Sequence, residues 1–208
     1  MIIPKIEEKE LIDFEKTIEK CLENKEYMHK SELKQIKKDF EKYVGVMQDA
    51  FTDKQELFNI YTFRVQYKFS KKTVWRDIEC LGRNNFCELA EYILLAMDWE
   101  NDHMHGFSLM KVNGKAQQPY TEFSIYAPGW EDDQYPSFKT DKIMICQLDY
   151  AKHPKLNFVF DFGDGFEFFI IFKGQRKARQ KELQQEFPML VDQRGVSPPQ
   201  YRDFDNEK

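Results

Sequence analysis

The first fifty residues place apolar and polar side chains with the period of an α-helix. Two runs, residues 7–22 and 32–47, carry an apolar side chain at every third or fourth position. These positions are Leu11, Phe14, Ile18, Cys21 and Leu22 in the first run and Leu33, Ile36, Phe40, Tyr43, Val44 and Met47 in the second. The spacing predicts two amphipathic helices, with Ser31 as the N-cap of the second. We therefore expect an N-terminal helical hairpin over residues 1–50, followed by a linker at residues 49–56.

After residue 56 the pattern changes to the alternation typical of β-strands. Residues 57–69 and 73–81 alternate around a short polar connection, which predicts a β-hairpin. Asn85 followed by Glu88 has the spacing of a capping box and predicts the start of a helix that ends near Trp99. The remaining predicted segments are a strand at residues 103–112, a short strand or strand-like edge at residues 142–148, an irregular aromatic loop at residues 120–136, a helix at residues 175–187 and a polar tail at residues 202–208.

The segment LNFVFDFGDGFEFFIIF predicts a second hairpin, rich in phenylalanine. Two strongly apolar runs flank Gly163-Asp164-Gly165, and these glycines tolerate the positive φ that a tight reversal requires. Asp161 and Asp164 make the segment either the turn of a buried hairpin or part of a carboxylate cluster that binds a ligand. We favour the turn, because Asp beside Gly commonly bonds to nearby backbone amides.

Composition narrows the class of protein. The chain has 208 residues, 41% of them apolar, with 19 Phe and 10 Tyr, which is enough for one well-packed core. No apolar run approaches the roughly 20 residues that span a bilayer, and the start of the chain turns acidic too soon for a secretory signal. We therefore expect a cytoplasmic protein with no membrane partner and, because the four cysteines form no CxxC pair, with reduced thiols. A net charge of −5 argues against a surface wholly committed to nucleic acid.

Two blocks, VWRDIECLGRNNFCELAEYILLAMDWENDHMHGF and FVFDFGDGFEF, resemble the plasmid pRiA4b ORF-3-like family. The matching positions are Trp75, Arg76, Leu89, Ile93, Trp99, His103, His105, Phe107, Asp161–Asp164, Glu167, Pro198 and Pro199. The resemblance covers residues 56–201 and implies an α+β fold with a curved, mainly antiparallel sheet flanked by helices. The helical hairpin lies outside the match, as an appendage. Family members occur in plasmid and mobile-element contexts without an established activity, and where they read WEH and PPED this chain reads FEF and PPQY.

His103 and His105 are the candidate metal ligands. Residues two apart in a strand point to the same face with Cα atoms about 6.5–7 Å apart, close enough to share one metal ion. Asp98, Glu100, Asp102 or Asp161 could supply the further oxygen ligand of a zinc, manganese or iron centre. With Asp161 in that role, the centre would serve a metal-dependent hydrolase or nuclease with Asp164 or Glu167 as base. The simpler interpretation is a pair of histidines bonded to backbone and packed against aromatic neighbours.

Two further sets of residues carry candidate binding chemistry. The first is a candidate ligand surface made of Trp75, Arg76, Trp99, Asp161, Asp164 and Glu167. The second is a basic segment made of Lys173, Arg176, Lys177, Arg179 and Lys181, whose charges predict contact with nucleic acid through a helix. Each set also has a structural interpretation, because tryptophans often anchor cores and basic residues often form a solvated helix face.

The sequence therefore favours a non-catalytic, cytoplasmic binding or accessory module with a protein or nucleic-acid partner. Its core patterning is strong, and it contains neither a GxSxG nucleophile motif nor a phosphate-binding loop. One alternative is the metal-dependent hydrolase or nuclease that uses His103, His105 and Asp161. The other is a nucleic-acid-binding protein that uses residues 173–181. No cofactor is expected apart from the divalent metal of the first alternative.

Overall fold

The computed structural model of the chain describes residues 49–54, 56–113, 116–128 and 138–201, together with residues 16, 20, 35, 38 and 45 as isolated positions. Apart from those isolated positions, the predicted N-terminal helical hairpin lies outside the described residues, as does the predicted tail at residues 202–208. The continuous ranges form one β-sheet, one α-helix and three short 3-10 helices.

Eight strands of these ranges form a single, mainly antiparallel sheet. In chain order they are β1 (Asn59–Tyr67), β2 (Trp75–Leu81), β3 (His105–Asn113), β4 (Ala116–Tyr126), β5 (Phe138–Lys139), β6 (Lys155–Phe160), β7 (Phe166–Lys177) and β8 (Met189–Arg194). Across the sheet the order is β5-β4-β3-β6-β7-β1-β2-β8, and only β4 and β5 pair in parallel. With helix α1 (Phe86–Ala96), this arrangement confirms the α+β class and the antiparallel sheet. No helix of the described ranges is long and apolar enough to cross a bilayer.

Both predicted hairpins are confirmed. β1 pairs with β2, where Phe63 lies opposite Ile78, and β6 pairs with β7, where Phe158 lies opposite Phe168. In each hairpin the alternating apolar residues fall on one face, because successive side chains of a strand point to opposite sides. Periodicity was therefore sufficient to locate these strands.

Helix α1 begins where the capping box predicts. Asn85 Oδ1 accepts a hydrogen bond from the Glu88 backbone N–H at 2.9 Å, and Glu88 Oε2 accepts from the Asn85 N–H at 2.8 Å. Two otherwise unpaired amides at the start of the helix are thereby satisfied. The apolar stripe of the helix packs on the sheet, where the Phe86 ring meets Phe107 edge-on at 5.0 Å. The helix ends about one turn earlier than predicted, so Trp99 lies in the following loop.

The sheet has two chemically different faces. The first face carries the aromatic and aliphatic core, and α1 and the loop at residues 140–150 pack on it. Its largest fully buried rings are Phe63, Phe107, Phe158, Phe160 and Phe168. The second face carries the polar and charged residues that alternate with this core, and also the apolar residues Ile60, Trp75, Leu81, Val159, Phe169 and Ile171. Part of this face is buried, since Asn157 is 2% and Phe169 7% exposed. No α-helix within residues 56–113, 116–128 and 138–201 covers the second face.

The predicted helix at residues 175–187 is wrong. β7 continues to Lys177, which lies opposite Asn59 of β1, and the next regular element is only the short 3-10 helix Glu182–Gln184. β1 offers unpaired backbone groups along this edge, so pairing satisfies the amides of residues 175–177 more completely than a short polar helix would. The basic residues of this segment therefore lie on a strand end and a turn.

Two further segments differ from prediction in the region that packs beside the sheet. The predicted loop at residues 120–136 begins inside β4, which runs to Tyr126. The segment at residues 142–148, predicted as a short strand or strand-like edge, forms isolated bridges at Met144 and Leu148 on either side of the 3-10 helix Ile145–Gln147. A short apolar run does not reveal whether it joins a sheet or packs against one.

The predicted linker at residues 49–56 is partly core. Ala50 and Phe51 are buried, and the Phe51 ring lies edge-on to Phe138 at 5.1 Å. The Thr52 N–H donates to the carbonyl of Gln147 at 2.9 Å, which fixes this segment to the loop on the first face. Ala50 and Phe51 therefore belong to the hydrophobic core, although they precede β1.

Arg76, predicted as part of a ligand surface, is a buried connector that is 3% exposed. Its guanidinium donates to the carbonyl of Ala96 at 2.8 Å, to the carbonyl of Arg194 at 3.0 Å and to Ser197 Oγ at 2.7 Å. Among the described residues its partners are thus carbonyl and hydroxyl oxygens, and burial lowers its pKa. The side chain joins β2, the end of α1 and the segment after β8.

We expect Arg76→Lys to reduce the free energy of unfolding by about 2–4 kcal/mol, because one ammonium cannot reach all three oxygens and buried carbonyls are left unpaired. Arg64→Lys on the neighbouring strand is the matched control. Arg64 is partly exposed and pairs with Asp77, so its replacement should cost about 1 kcal/mol or less. Denaturant titration measures both changes. Equal losses in the two variants would contradict the connector role.

Candidate functional site

Three separate parts of the chain meet at one end of the sheet. The loop after α1 supplies Trp99 and His103, the β6–β7 turn supplies Asp161, and the segment after β8 supplies Pro198 and Tyr201. Trp99 Nε1 donates to the Pro198 carbonyl at 2.8 Å, His103 Nε2 lies 3.6 Å from Asp161 Oδ2, and the His103 and Tyr201 rings are 6.2 Å apart. We call these five residues the motif end.

Trp99 is enclosed by other aromatic rings. It is 7% exposed, and it lies edge-on to Phe166 at 4.8 Å, to Phe168 at 5.4 Å and to Tyr67 at 6.0 Å between ring centroids. Its single polar group, the indole N–H, is satisfied by Pro198. Because little of the ring faces solvent, Trp99 is suited to anchor the core and the C-terminal segment rather than to stack on a ligand.

Asp161 organises the turn between β6 and β7. Its Oδ1 accepts from the N–H of Gly163 at 2.9 Å and of Asp164 at 3.3 Å, and its carbonyl accepts from the Gly165 N–H at 2.6 Å. Asp161 itself has φ 52°, and Gly165 has φ 67°. Asp adopts this left-handed conformation more readily than most residues, because its side chain can bond locally. Positive φ was expected at the glycines of this turn; Gly165 has it, and Asp161 has it as well.

The two histidines occupy different environments. β3 begins at His105, whose ring is buried between Phe107 and Phe158, with Nε2 3.4 Å from Thr140 Oγ1. His103 precedes the strand, and 48% of its side chain is exposed. The prediction that both lie in one strand is wrong, because β3 begins two residues later than predicted. Burial lowers the pKa of His105 to about 4, so its imidazole is neutral near pH 7.

The predicted metal ligands are thus only partly brought together. His103 and Asp161 are neighbours at the motif end, whereas His105 packs into the core. No group of three His, Cys, Asp or Glu side chains placed to hold a metal ion occurs among the residues that the structure describes. A metal site at His103, His105 and Asp161 stays a prediction.

Polar contacts tie the segment after β8 to the loop after α1. The Tyr201 hydroxyl donates to Asp102 Oδ1 at 3.0 Å, and Gln200 bonds to both backbone groups of Glu100, at 2.7 and 3.0 Å. Partial burial and the hydrogen bond to Asp102 raise the pKa of Tyr201 to about 12. Sequence reasoning did not single out these residues, although the PPQY ending marks where the segment lies.

The remaining candidate ligand residues point away from the motif end. Asp164 is exposed at the tip of the turn, and Glu167 forms an ion pair with Lys68. Trp75 lies half-buried on the second face, with the Arg64 guanidinium 3.8 Å from the centroid of its ring. The six residues of the predicted ligand surface therefore do not form one surface.

The basic segment at residues 173–181 is partly neutralised. Arg176 lies 3.1 Å from Glu182 and 3.3 Å from Glu79, and Arg179 lies 3.9 Å from Glu182. Its exposed lysines are Lys173, Lys177 and Lys181. Since the segment is not helical, its cations do not form the continuous helix face that was predicted.

A second group of cations lies on and beside the second face. The Nζ atoms of Lys71 and Lys155 lie 4.3 and 4.1 Å from the centroid of the Phe169 ring. Beside them, Phe69 in the 3-10 helix Lys68–Ser70 is 71% exposed. Sequence reasoning missed this group, because only the run KFSKK signals it and Lys155 comes from another hairpin.

Comparisons with known proteins concern the family and the fold. A family model described as "Plasmid pRiA4b ORF-3-like protein" matches residues 59–202. Among solved structures, the chain is similar to a crystal structure of a protein of unknown function from Methanosarcina mazei Go1, with 21% sequence identity and a TM-score of 0.54 over 68% of this chain and 72% of that one. At this identity the likeness shows a shared fold alone. No curated protein matches the chain.

The turn role of Asp161 predicts different outcomes for two substitutions. Asp161→Asn should change the free energy of unfolding by about 0.5 kcal/mol or less, because an amide oxygen still accepts from Gly163 and Asn tolerates the positive φ. Asp161→Ala should cost about 1–3 kcal/mol, because the acceptor is lost and the strain remains. Denaturant titration compares them, with Asp164→Ala at the exposed tip as the control. Equal losses for Asn and Ala would show that the charge matters rather than the turn.

Burial of His105 predicts a pH-dependent stability. The folded protein keeps this ring neutral down to a pKa of about 4, whereas the unfolded chain protonates it near 6.5, so its contribution is lost as the pH falls between these values. From about pH 7 to about pH 5 the loss due to this group should be about 2 kcal/mol. His105→Phe should remove that part of the pH dependence, and the control His103→Phe should keep it. Unfolding titrations at both pH values decide the matter.

Proposed function

The chain belongs to the plasmid pRiA4b ORF-3-like family, and from this premise we propose that it is a non-catalytic binding module that presents the second face of its sheet to a macromolecular ligand. We further propose that it works in the cytoplasm as an accessory protein of mobile DNA, as the plasmid origin in the family's name suggests. Binding would then take place on the second face, while the first face forms the core.

The observation that carries the proposal is the commitment of the motif residues to the fold. Arg76 satisfies carbonyls, Trp99 fills the core and Asp161 closes a turn. Each of these side chains would have to break a structural contact in order to bind a substrate. On the second face Gln66, Trp75 and Ser108 are half-buried, and the α-helix of the described ranges packs on the opposite side.

A metal-dependent hydrolase has less support from the geometry. His105 would have to leave the core, where it packs against Phe107 and Phe158, to join His103 and Asp161 at the surface. His103 Nε2 lies 3.6 Å from Asp161 and 4.0 Å from Asp102, but no three such side chains of the described residues are placed to hold a metal ion, and a catalytic zinc takes three protein ligands and a water. The proposal therefore assigns no catalytic residue.

We expect a capture experiment to distinguish binding at the second face from binding at the motif end. Purified protein, immobilised and exposed to a bacterial lysate, should retain nucleic acid or a discrete protein at micromolar concentration. Gln66→Glu combined with Ser108→Glu places two charges in the middle of the second face, where both residues are half-buried, and should remove the captured species. The matched variant, His103→Ala with Tyr201→Phe, alters the motif end and should retain it.

Two results would contradict the proposed function. One is the capture of neither nucleic acid nor protein by the wild-type chain. The other is loss of capture in the motif-end variant with retention in the second-face variant. Circular dichroism of both variants shows whether each remains folded.

A further inference from the structure

We infer that a cleft of about 280 Å³ on the first face, at the end of the sheet remote from the motif end, is a binding site for a small organic cation. The ammonium group of the ligand would lie beside the carboxylate of Glu56, and its hydrocarbon part would lie against the rings of Tyr61, Tyr150 and Phe172. A cleft of this size is near the lower end of the range of small-molecule sites. The inference goes beyond the proposed function, because the two sites lie on opposite faces of the sheet.

A β-bulge shapes one wall of the cleft. In the pairing of β1 with β7, Tyr61 lies opposite Gln175 and Phe63 lies opposite Phe172, so β7 has one residue more than β1 between these pairs. The extra residue moves Gln175 to the first face, beside Tyr61, because directly opposed residues share a face. Without the bulge, alternation from Phe172 would place Gln175 on the second face. The segment before β1 and the loop at residues 146–151 supply the other walls.

The cleft is well separated from the motif end. Phe166 begins β7 and contacts Trp99 of the motif end at 4.8 Å, whereas Gln175 lies nine positions further along the same strand. At about 3.3 Å per residue this separation is roughly 30 Å. A substitution in the cleft should therefore leave the motif end unchanged.

Glu56 supplies a carboxylate that has no cationic partner among the described residues. Gln175 Nε2 donates to its Oε2 at 2.6 Å, and the Tyr61 hydroxyl donates to the same oxygen at 3.4 Å. Both donors are neutral, and the residue is half-buried, so its charge is partly removed from water without being compensated. A ligand ammonium would add the charge-assisted hydrogen bonds that these neighbours do not supply.

The charged side chains that line the cleft are two carboxylates and one ammonium. Asp149 is the second acid; its Oδ1 accepts from the Ala151 N–H at 3.1 Å, and its Oδ2 lies 4.0 Å from Lys152 Nζ. Lys54 is exposed, so its ammonium remains in water. The balance of charge in the cleft therefore favours a cationic ligand over an anionic one.

Three rings form an uncharged aromatic wall. Tyr150 and Phe172 stack with their centroids 4.8 Å apart, and the Tyr61 ring is tilted against them at 5.8 and 6.2 Å. Burial raises the pKa of both tyrosines, so their phenols stay protonated and neutral. The Tyr150 hydroxyl is buried without a hydrogen-bond partner in the described ranges. Because the faces of aromatic rings carry partial negative charge, such a wall attracts a cation that also has apolar surface.

The test is an NMR titration of the ¹⁵N-labelled chain, at constant salt, with three probes of similar skeleton: phenethylammonium, 2-phenylethanol and phenylacetate. For an ammonium probe of about nine non-hydrogen atoms we expect a Kd of about 0.1–10 mM. The neutral and anionic probes should bind about tenfold more weakly or not at all, because neither brings a cation to Glu56. The amide signals of Tyr61, Tyr150 and Gln175 should shift as the cleft fills.

Four variants locate the site. Glu56→Gln removes the charge and should weaken binding of phenethylammonium about tenfold or more. Ala151→Phe places a ring at an exposed position of the wall and should have a similar effect by filling the cleft. Lys54→Gln removes a competing cation and should leave binding unchanged or strengthen it by up to about threefold. The matched control, Glu100→Gln, alters an exposed acid beside the motif end and should stay within about twofold.

Any of four results would overturn the inference. The first is the absence of a saturable shift with all three probes. The second is equal affinity for the three, which would reduce the contact to apolar surface. The third is tighter binding of phenylacetate with a loss in Lys54→Gln, which would make the cleft an anion site. The fourth is an equal effect of Glu56→Gln and of the control. The capture experiment is independent, since Glu56→Gln should retain the captured species, so the two proposals fail separately.

Discussion

One buried guanidinium determines how the described fold closes at the motif end. Arg76 lies on the first face of β2, where a cation without oxygen partners would cost far more than a hydrogen bond. Its partners are the carbonyl of Ala96 at the end of α1, the carbonyl of Arg194 at the end of β8 and the hydroxyl of Ser197 after it. The carbonyl at the helix end lacks an intrahelical donor and carries partial negative charge. Because the segment after β8 is fixed in this way, Pro198 can accept from Trp99, and Tyr201 can reach Asp102.

The acidic residues of the Phe-rich hairpin suggest a catalytic carboxylate cluster, but the structure gives Asp161 a role in the β6–β7 turn. A reversal between two buried strands needs residues that accept positive φ and that satisfy the amides of the turn. Asp161 does both, and Gly165 supplies the second positive φ. The phenylalanines on either side fill the first face. The Asp and Phe residues of this segment are therefore explained by a tight turn beside the hydrophobic core.

Sequence patterns predicted the features that depend on neighbours a few positions apart. The capping box of Asn85 and Glu88 and the two hairpins are of this kind. Prediction failed where a distant partner decides: β7 runs on to Lys177 because β1 offers its edge, and His103 is separated from His105 because β3 begins only where it meets β6. The same holds for the candidate site. His105 and Arg76 were suggested as site residues by their side-chain chemistry, but both are buried in the fold.

The separation of the two faces also bears on where binding can reside. Residues of the first face and of the motif end contact one another, so a change there alters stability along with any binding. Even the exposed Phe69 is connected to that network, because it contacts Tyr67, which packs against Trp99. The motif residues are therefore a guide to the fold.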